Sequence, residues 1–128
     1  VSKTPSGRIS FKIQGDGSQT RAFVHIDDFT DGLMKVIEAG AHREIYNIGN
    51  PDEVAIADIA RLVVAHFGRE ADLETSPEPA GATPRRGPDI SKLMTLGYAP
   101  RLSLAQGLPS LIEWYRDNKH LNPSSSGT

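Results

Sequence analysis

The sequence predicts a mixed α/β fold, short strands alternating with three main helices, and three observations carry that prediction. Apolar Phe11 and Ile13 alternate with polar neighbours across Ser10–Gln14, the two-residue period of a half-buried strand. Ile56, Ile59, Ala60, Val63, Val64 and Phe67 recur instead at the three- and four-residue spacing of one helix face. Stretches of the two kinds interleave along a chain with no internal repeat, which points to α/β rather than to segregated layers.

In chain order, residues 1–9 read as a leader or junction, because they run straight into the first strand. "GDGS" at 15–18 supplies residues that tolerate positive φ and predicts a hairpin turn into a second strand, Arg21–Ile26. Asp27 or Asp28 is positioned to cap the next helix, about residues 28–39, with Phe29, Leu33, Val36 and Ile37 on one face and Gly40 at its end. "EIYNIG" (44–49) reads as a further short strand. The helix over about 55–67 stops at Gly68, and "ADLET" (71–75) reads as another strand. Residues 76–88 hold four prolines and two glycines and predict a loop. Ser103 and Gln106 have the spacing of a capping box, opening a helix with Leu104, Leu108, Leu111, Ile112 and Tyr115 along its apolar face. Residues 119–128 read as a flexible tail.

Composition narrows the function classes. At 128 residues, 38% of them hydrophobic, the chain suits one domain with a modest core. Fourteen basic residues against sixteen acidic ones give a formal charge of −2, which argues against nucleic acid and anionic membrane surfaces as partners. The absence of cysteine excludes disulfides and thiolate zinc. No apolar run approaches the roughly 20 residues of a spanning helix. A cytoplasmic setting is the expectation.

Few motifs suggest catalysis. Gly15-Asp-Gly17 imitates the start of a dinucleotide fingerprint, but Thr20 stands at the third glycine position and a strand follows where a helix is needed. Tyr115 and Lys119 have the Tyr-x-x-x-Lys spacing of a dehydrogenase pair. On a C-terminal helix with no cofactor site to serve, a core-facing tyrosine beside an exposed lysine explains them better. His25, His42, His66 and His120 are scattered without ligand spacing, so no metal site and no catalytic residue is assigned. The arginines are more informative. Arg21 opens a strand just after a turn, and Arg85-Arg86 lies within the proline-glycine loop. Guanidinium forks match paired phosphate oxygens, so two of them brought together would clamp a diphosphate.

With these residues in hand, a resemblance becomes specific. "GDGSQTRAFVHIDDFTDGL", "YNIGNPDEVAIADIARLV" and "RRGPDISKLMTLGYAPRLSLAQGLPSLIEWY" resemble, in order and spacing, the C-terminal part of extended short-chain dehydrogenase/reductases acting on nucleotide sugars. The likeness is to UDP-glucuronate decarboxylase and UDP-glucose 4-epimerase relatives and covers roughly Ser10–Tyr115. It implies that Arg21 and Arg86 contact the diphosphate of a nucleotide sugar, UDP-linked in the first instance. It further implies that Phe11, Ile13 and Gln14 line the base and that Asp89 sits near the same pocket. Residues 10–118 would then be a single domain of the substrate-binding type.

Three departures from the family pattern shape the expectations. Gln14 stands where many relatives have an aromatic residue, and Ala55 replaces the usual threonine or serine cap, a loss of about 1 kcal/mol. The glycine-rich NAD turn and the catalytic Ser/Thr and Tyr-x-x-x-Lys of the family's N-terminal half have no counterpart in this sequence. NAD is therefore expected only in the full-length family member, and the isolated chain is expected to be inactive. Alternatives are an interaction module that docks or self-associates through exposed apolar surface, or one half of a two-chain enzyme whose partner binds NAD.

Overall fold

The structure, a computed structural model, describes residues 7–121. Strands β1 (Arg8–Gln14) and β2 (Thr20–Ala22) precede helix α1 (Ile26–Ala39). After a long irregular segment come β3 (Glu53–Ala55), α2 (Ile56–His66), β4 (Glu70–Ser76) and β5 (Arg85–Arg86). Helices α3 (Ser91–Met94) and α4 (Leu104–Asp117) and one 3-10 turn (Lys119–Leu121) complete the order. The mixed α/β expectation holds, with α1, α2 and α4 as the three main helices. The proposed leader and tail fall largely outside the described residues. Arg8 and Ile9 already belong to β1, and 119–121 are helical.

The strands form two small sheets, and here the sequence expectation needs correcting. "GDGS" is a turn, but not a hairpin. β1 pairs in parallel with β4, Phe11 opposite Leu73, while β2 lies between β3 (antiparallel) and β5 (parallel). The turn is diverted because α2 uses it. The carbonyls of Gly17 and Gln19 accept the amides of Ala57 and Ile56 at 3.0 Å each. At Gly17, φ is +84°, and a Cβ would come within 2.7 Å of Ile13 and 2.9 Å of Ala57, so only glycine fits between β1 and α2. The same contacts correct the cost assigned to Ala55. Its side chain caps nothing, yet two of the helix's first amides already have backbone acceptors.

α1 starts two residues earlier than expected, because its cap is His25 and not an aspartate. The imidazole Nδ1 accepts the Asp27 amide at 3.2 Å. Asp28, 1% exposed, points inward instead, where one carboxylate oxygen accepts the amides of Arg101 and Leu102 at 3.0 and 2.9 Å. Phe23, Val24 and His25 carry no ladder pairing, so the second strand is half its expected length. Ser103 and Gln106 form the capping box of α4 as the sequence predicted.

"EIYNIG" forms no ladder among the described residues. It keeps a strand's alternation, Tyr46 and Ile48 packing inward and Ile45 standing 83% exposed, but its neighbours α1 and α3 offer no strand to pair with. The core beneath it comprises Ile90, Leu93 and Tyr98, whose hydroxyl donates to the Gly49 carbonyl at 2.8 Å. Tyr115 is a further correction. It is 64% exposed rather than core-facing, because Ile112 is the one buried residue of α4 and the helix's apolar stripe is wider than the surface it covers.

Candidate functional site

The site is built on the three-stranded sheet. Parallel pairing of β2 with β5 sets Thr20 opposite Arg85 and Arg21 opposite Arg86. Successive side chains on a strand leave opposite faces, so Arg21 and Arg86 share one face while Thr20 and Arg85 share the other. The two guanidinium-bearing residues that the sequence singled out are therefore neighbours, although 65 positions separate them. Neither makes an ion pair within 4.0 Å among the described residues. Arg21 donates to the Thr20 carbonyl at 2.6 Å, and Arg86 reaches the Thr83 hydroxyl only at 3.5 Å.

The pairing places two cationic side chains on one sheet face. Like charges on one sheet face repel, and that repulsion is screened at the surface. A dianionic diphosphate laid across both forks reverses the sign and adds charge-assisted hydrogen bonds.

The opposite face is closed by chemistry that sequence reasoning missed. Glu53 on β3 accepts the Thr20 hydroxyl at 2.9 Å and the Arg85 Nε at 2.5 Å. Its side chain is 16% exposed, and the bonds from Arg85 and Thr20 hold its carboxyl below the ordinary glutamate value. No sequence signal could have found it, since a three-residue strand and a two-residue strand show no readable period.

The remaining expected residues are dispersed. Phe11 is half-buried and Gln14 exposed on the separate β1–β4 sheet, while Ile13, 4% exposed, faces the core against Gly17. The carbonyls of Ile13 and Gln14 already accept the Ser76 hydroxyl (2.8 Å) and the Gln19 amide (2.6 Å). Asp89 lies three residues beyond Arg86. Its carboxylate accepts the Ser91 amide at 2.9 Å, which opens α3 and holds the carboxyl below its usual range.

Gly15-Asp-Gly17 does not fit a dinucleotide. It leads into β2, and the carbonyl of Gly17 faces α2's first turn. A separate groove of about 540 Å³, lined mainly by Phe23, Val24, Leu108, Leu111 and Trp114 with His25 at its polar edge, opens between the β2–α1 connection and α4.

The fold is a small α/β unit with two arginines paired on one sheet face, and comparison with known proteins gives it a family. The profile of the NAD dependent epimerase/dehydratase family matches residues 1–49. UDP-glucuronic acid decarboxylase 2 of Arabidopsis thaliana is 37% identical over 105 residues, 81% of this chain and 23% of that protein. The dTDP-glucose 4,6-dehydratase of Streptomyces venezuelae, solved with NAD bound, superposes with a TM-score of 0.78 at 31% identity, over 88% of this chain and 35% of that one. UDP-glucuronic acid 4-epimerase of Bacillus cereus, solved with UDP-glucuronic acid and NAD, gives 0.76 at 32% identity, over 84% and 35%. The chain belongs to the NAD-dependent epimerase/dehydratase family. It spans about a quarter to a third of the length of these relatives.

Proposed function

We propose that this chain is the nucleotide-diphosphate-sugar-binding C-terminal domain of an NAD-dependent sugar-nucleotide epimerase/dehydratase, with Arg21 and Arg86 clamping the diphosphate. The observation that carries the reading is their pairing across β2 and β5, two unneutralised guanidiniums on one sheet face. The UDP-glucuronic acid held by the Bacillus cereus epimerase supports UDP-sugars as the ligand class. The strand bearing Phe11, Ile13 and Gln14 would lie along the base, and Asp89 would sit near the same pocket. Residues 10–118 act as the binding domain, in the cytoplasm, and the chain is inactive in isolation. NAD chemistry, hydride transfer to and from the sugar, belongs to the full-length relatives.

Titration calorimetry with UDP-glucose tests this. Arg21→Ala and Arg86→Ala are each expected to weaken binding about tenfold, the value of one charge-assisted contact, and the double substitution more. Unchanged affinity in both single variants removes the clamp.

A second reading has its own observation. Ile26, Phe29, Leu33 and Ile37 leave an apolar row uncovered on α1. It fits an interaction module, or one half of a two-chain enzyme, that docks a second copy or an NAD-binding chain there.

A further inference from the structure

We propose that Glu53 is a positioning residue that locks the register of β5 against β2, and so selects Arg86 rather than Arg85 as the guanidinium presented beside Arg21. What that face binds rests on the nucleotide-sugar reading above. The lock itself concerns backbone register and stands apart from it.

Arg85 and Arg86 are chemically identical neighbours, and only strand alternation separates their roles. A slip of one residue would exchange them, carrying Arg85 to Arg21's face. β5 itself has little to resist such a slip. It is two residues long, both exposed, and follows a loop rich in proline and glycine. Its anchors lie on the other two strands of the sheet. The Pro84 carbonyl accepts the Thr20 amide at 2.9 Å, which fixes where β5 begins. Glu53 then fixes the faces, one carboxylate oxygen taking Thr20 and the other Arg85. A single carboxylate on β3 thus takes hold of β2 and reaches across it to β5, on the face away from Arg21 and Arg86. Gly87 completes the fit, since a Cβ there would press within 3.2 Å of the Glu53 carboxyl carbon.

Stability alone is a poor measure of this contact. The Arg85 side chain is 79% exposed, and such pairs add little to folding. Register is the property to read. In the full chain, backbone NMR should show the Thr20–Arg85 and Arg21–Arg86 cross-strand contacts, and Glu53→Ala should lose them while α2 and α4 keep their shifts. Binding supplies the functional readout. Arg86→Ala should weaken UDP-glucose about tenfold in the native background but about threefold or less in Glu53→Ala, where a slipped Arg85 substitutes for it.

Cross-strand contacts that persist in Glu53→Ala, or an Arg86→Ala penalty equal in both backgrounds, overturn the lock. Should Glu53→Ala fail to fold, Glu53→Gln is read by the same two criteria, since it keeps an oxygen for Thr20 and loses the charge that Arg85 needs. An Arg86→Ala penalty absent from the native background removes the nucleotide reading, and the NMR contacts alone then decide the lock.

Discussion

Asp16, Glu53, Asp89 and Asp117 share one electrostatic feature, a carboxyl held below its ordinary value by hydrogen bonds that the charged form accepts. The donors are Ser18 for Asp16, Arg85 and Thr20 for Glu53, Ser91 for Asp89 and Arg116 for Asp117. A depressed folded-state value contributes stability that is fully present above the unfolded value and is lost as pH falls through the folded one. Tyr98 has the opposite sense. Burial, with Asp28 and Asp31 nearby, raises its hydroxyl above the ordinary 10.0, so its contribution is complete below that value and lost as pH climbs through the folded one. The expected melting profile is a plateau bounded by an acid limb below the ordinary carboxyl values and an alkaline limb above 10.0. Thermal melts across pH check this. Glu53→Gln should flatten the acid limb, and Tyr98→Phe should flatten the alkaline limb even though it lowers the plateau by losing the bond to Gly49. A Tyr98→Phe profile parallel to the wild type's would refute the assignment.

Among the elements, α1 carries an unusual residue for its place. Gly32 sits mid-helix, where glycine costs about 1 kcal/mol against alanine. The helix accepts that cost because its backbone runs close to the core. A Cβ on Gly32 would lie 2.7 Å from Ile48, 3.1 Å from Tyr98 and 3.3 Å from Leu93. Gly32→Ala is expected to destabilise by about 1–3 kcal/mol despite its better propensity, overpacking outweighing the helical gain. Urea unfolding decides it, and a stabilised variant would mean that Ile48 moves aside at no cost. The same elements show what the sequence could disclose. α2, the α4 cap and β1 were legible because each carries its own period or capping pair over several residues. β3, α3 and β5 were not, since two to four residues hold no period. The hairpin was misread for a different reason. "GDGS" encodes a turn, but the strand that β1 meets is chosen by β4 and α2, far along the chain.

At the scale of the molecule, the candidate site was half legible. Arg21 and Arg86 stood out as residues, whereas their pairing depended on strands too short to predict and on Glu53, which nothing local marks. The uncovered apolar surface is the other property visible only in the folded chain. Ile26, Phe29, Leu33 and Ile37 follow one another at three- and four-residue steps and are 40–67% exposed, and Ile26 also lines the groove against α4. A row of this kind is larger than scattered exposed leucines and favours association. Sedimentation velocity over a range of concentrations should show the chain self-associating, and a Phe29→Lys, Ile37→Lys double variant should remain monomeric. Because neither residue belongs to the sheet that carries the arginines, the double variant should bind UDP-glucose as the wild type does. Association lost together with nucleotide binding would mean that the diphosphate site forms only in the assembled state, and a wild-type chain monomeric throughout would remove the second copy as the occupant of this row.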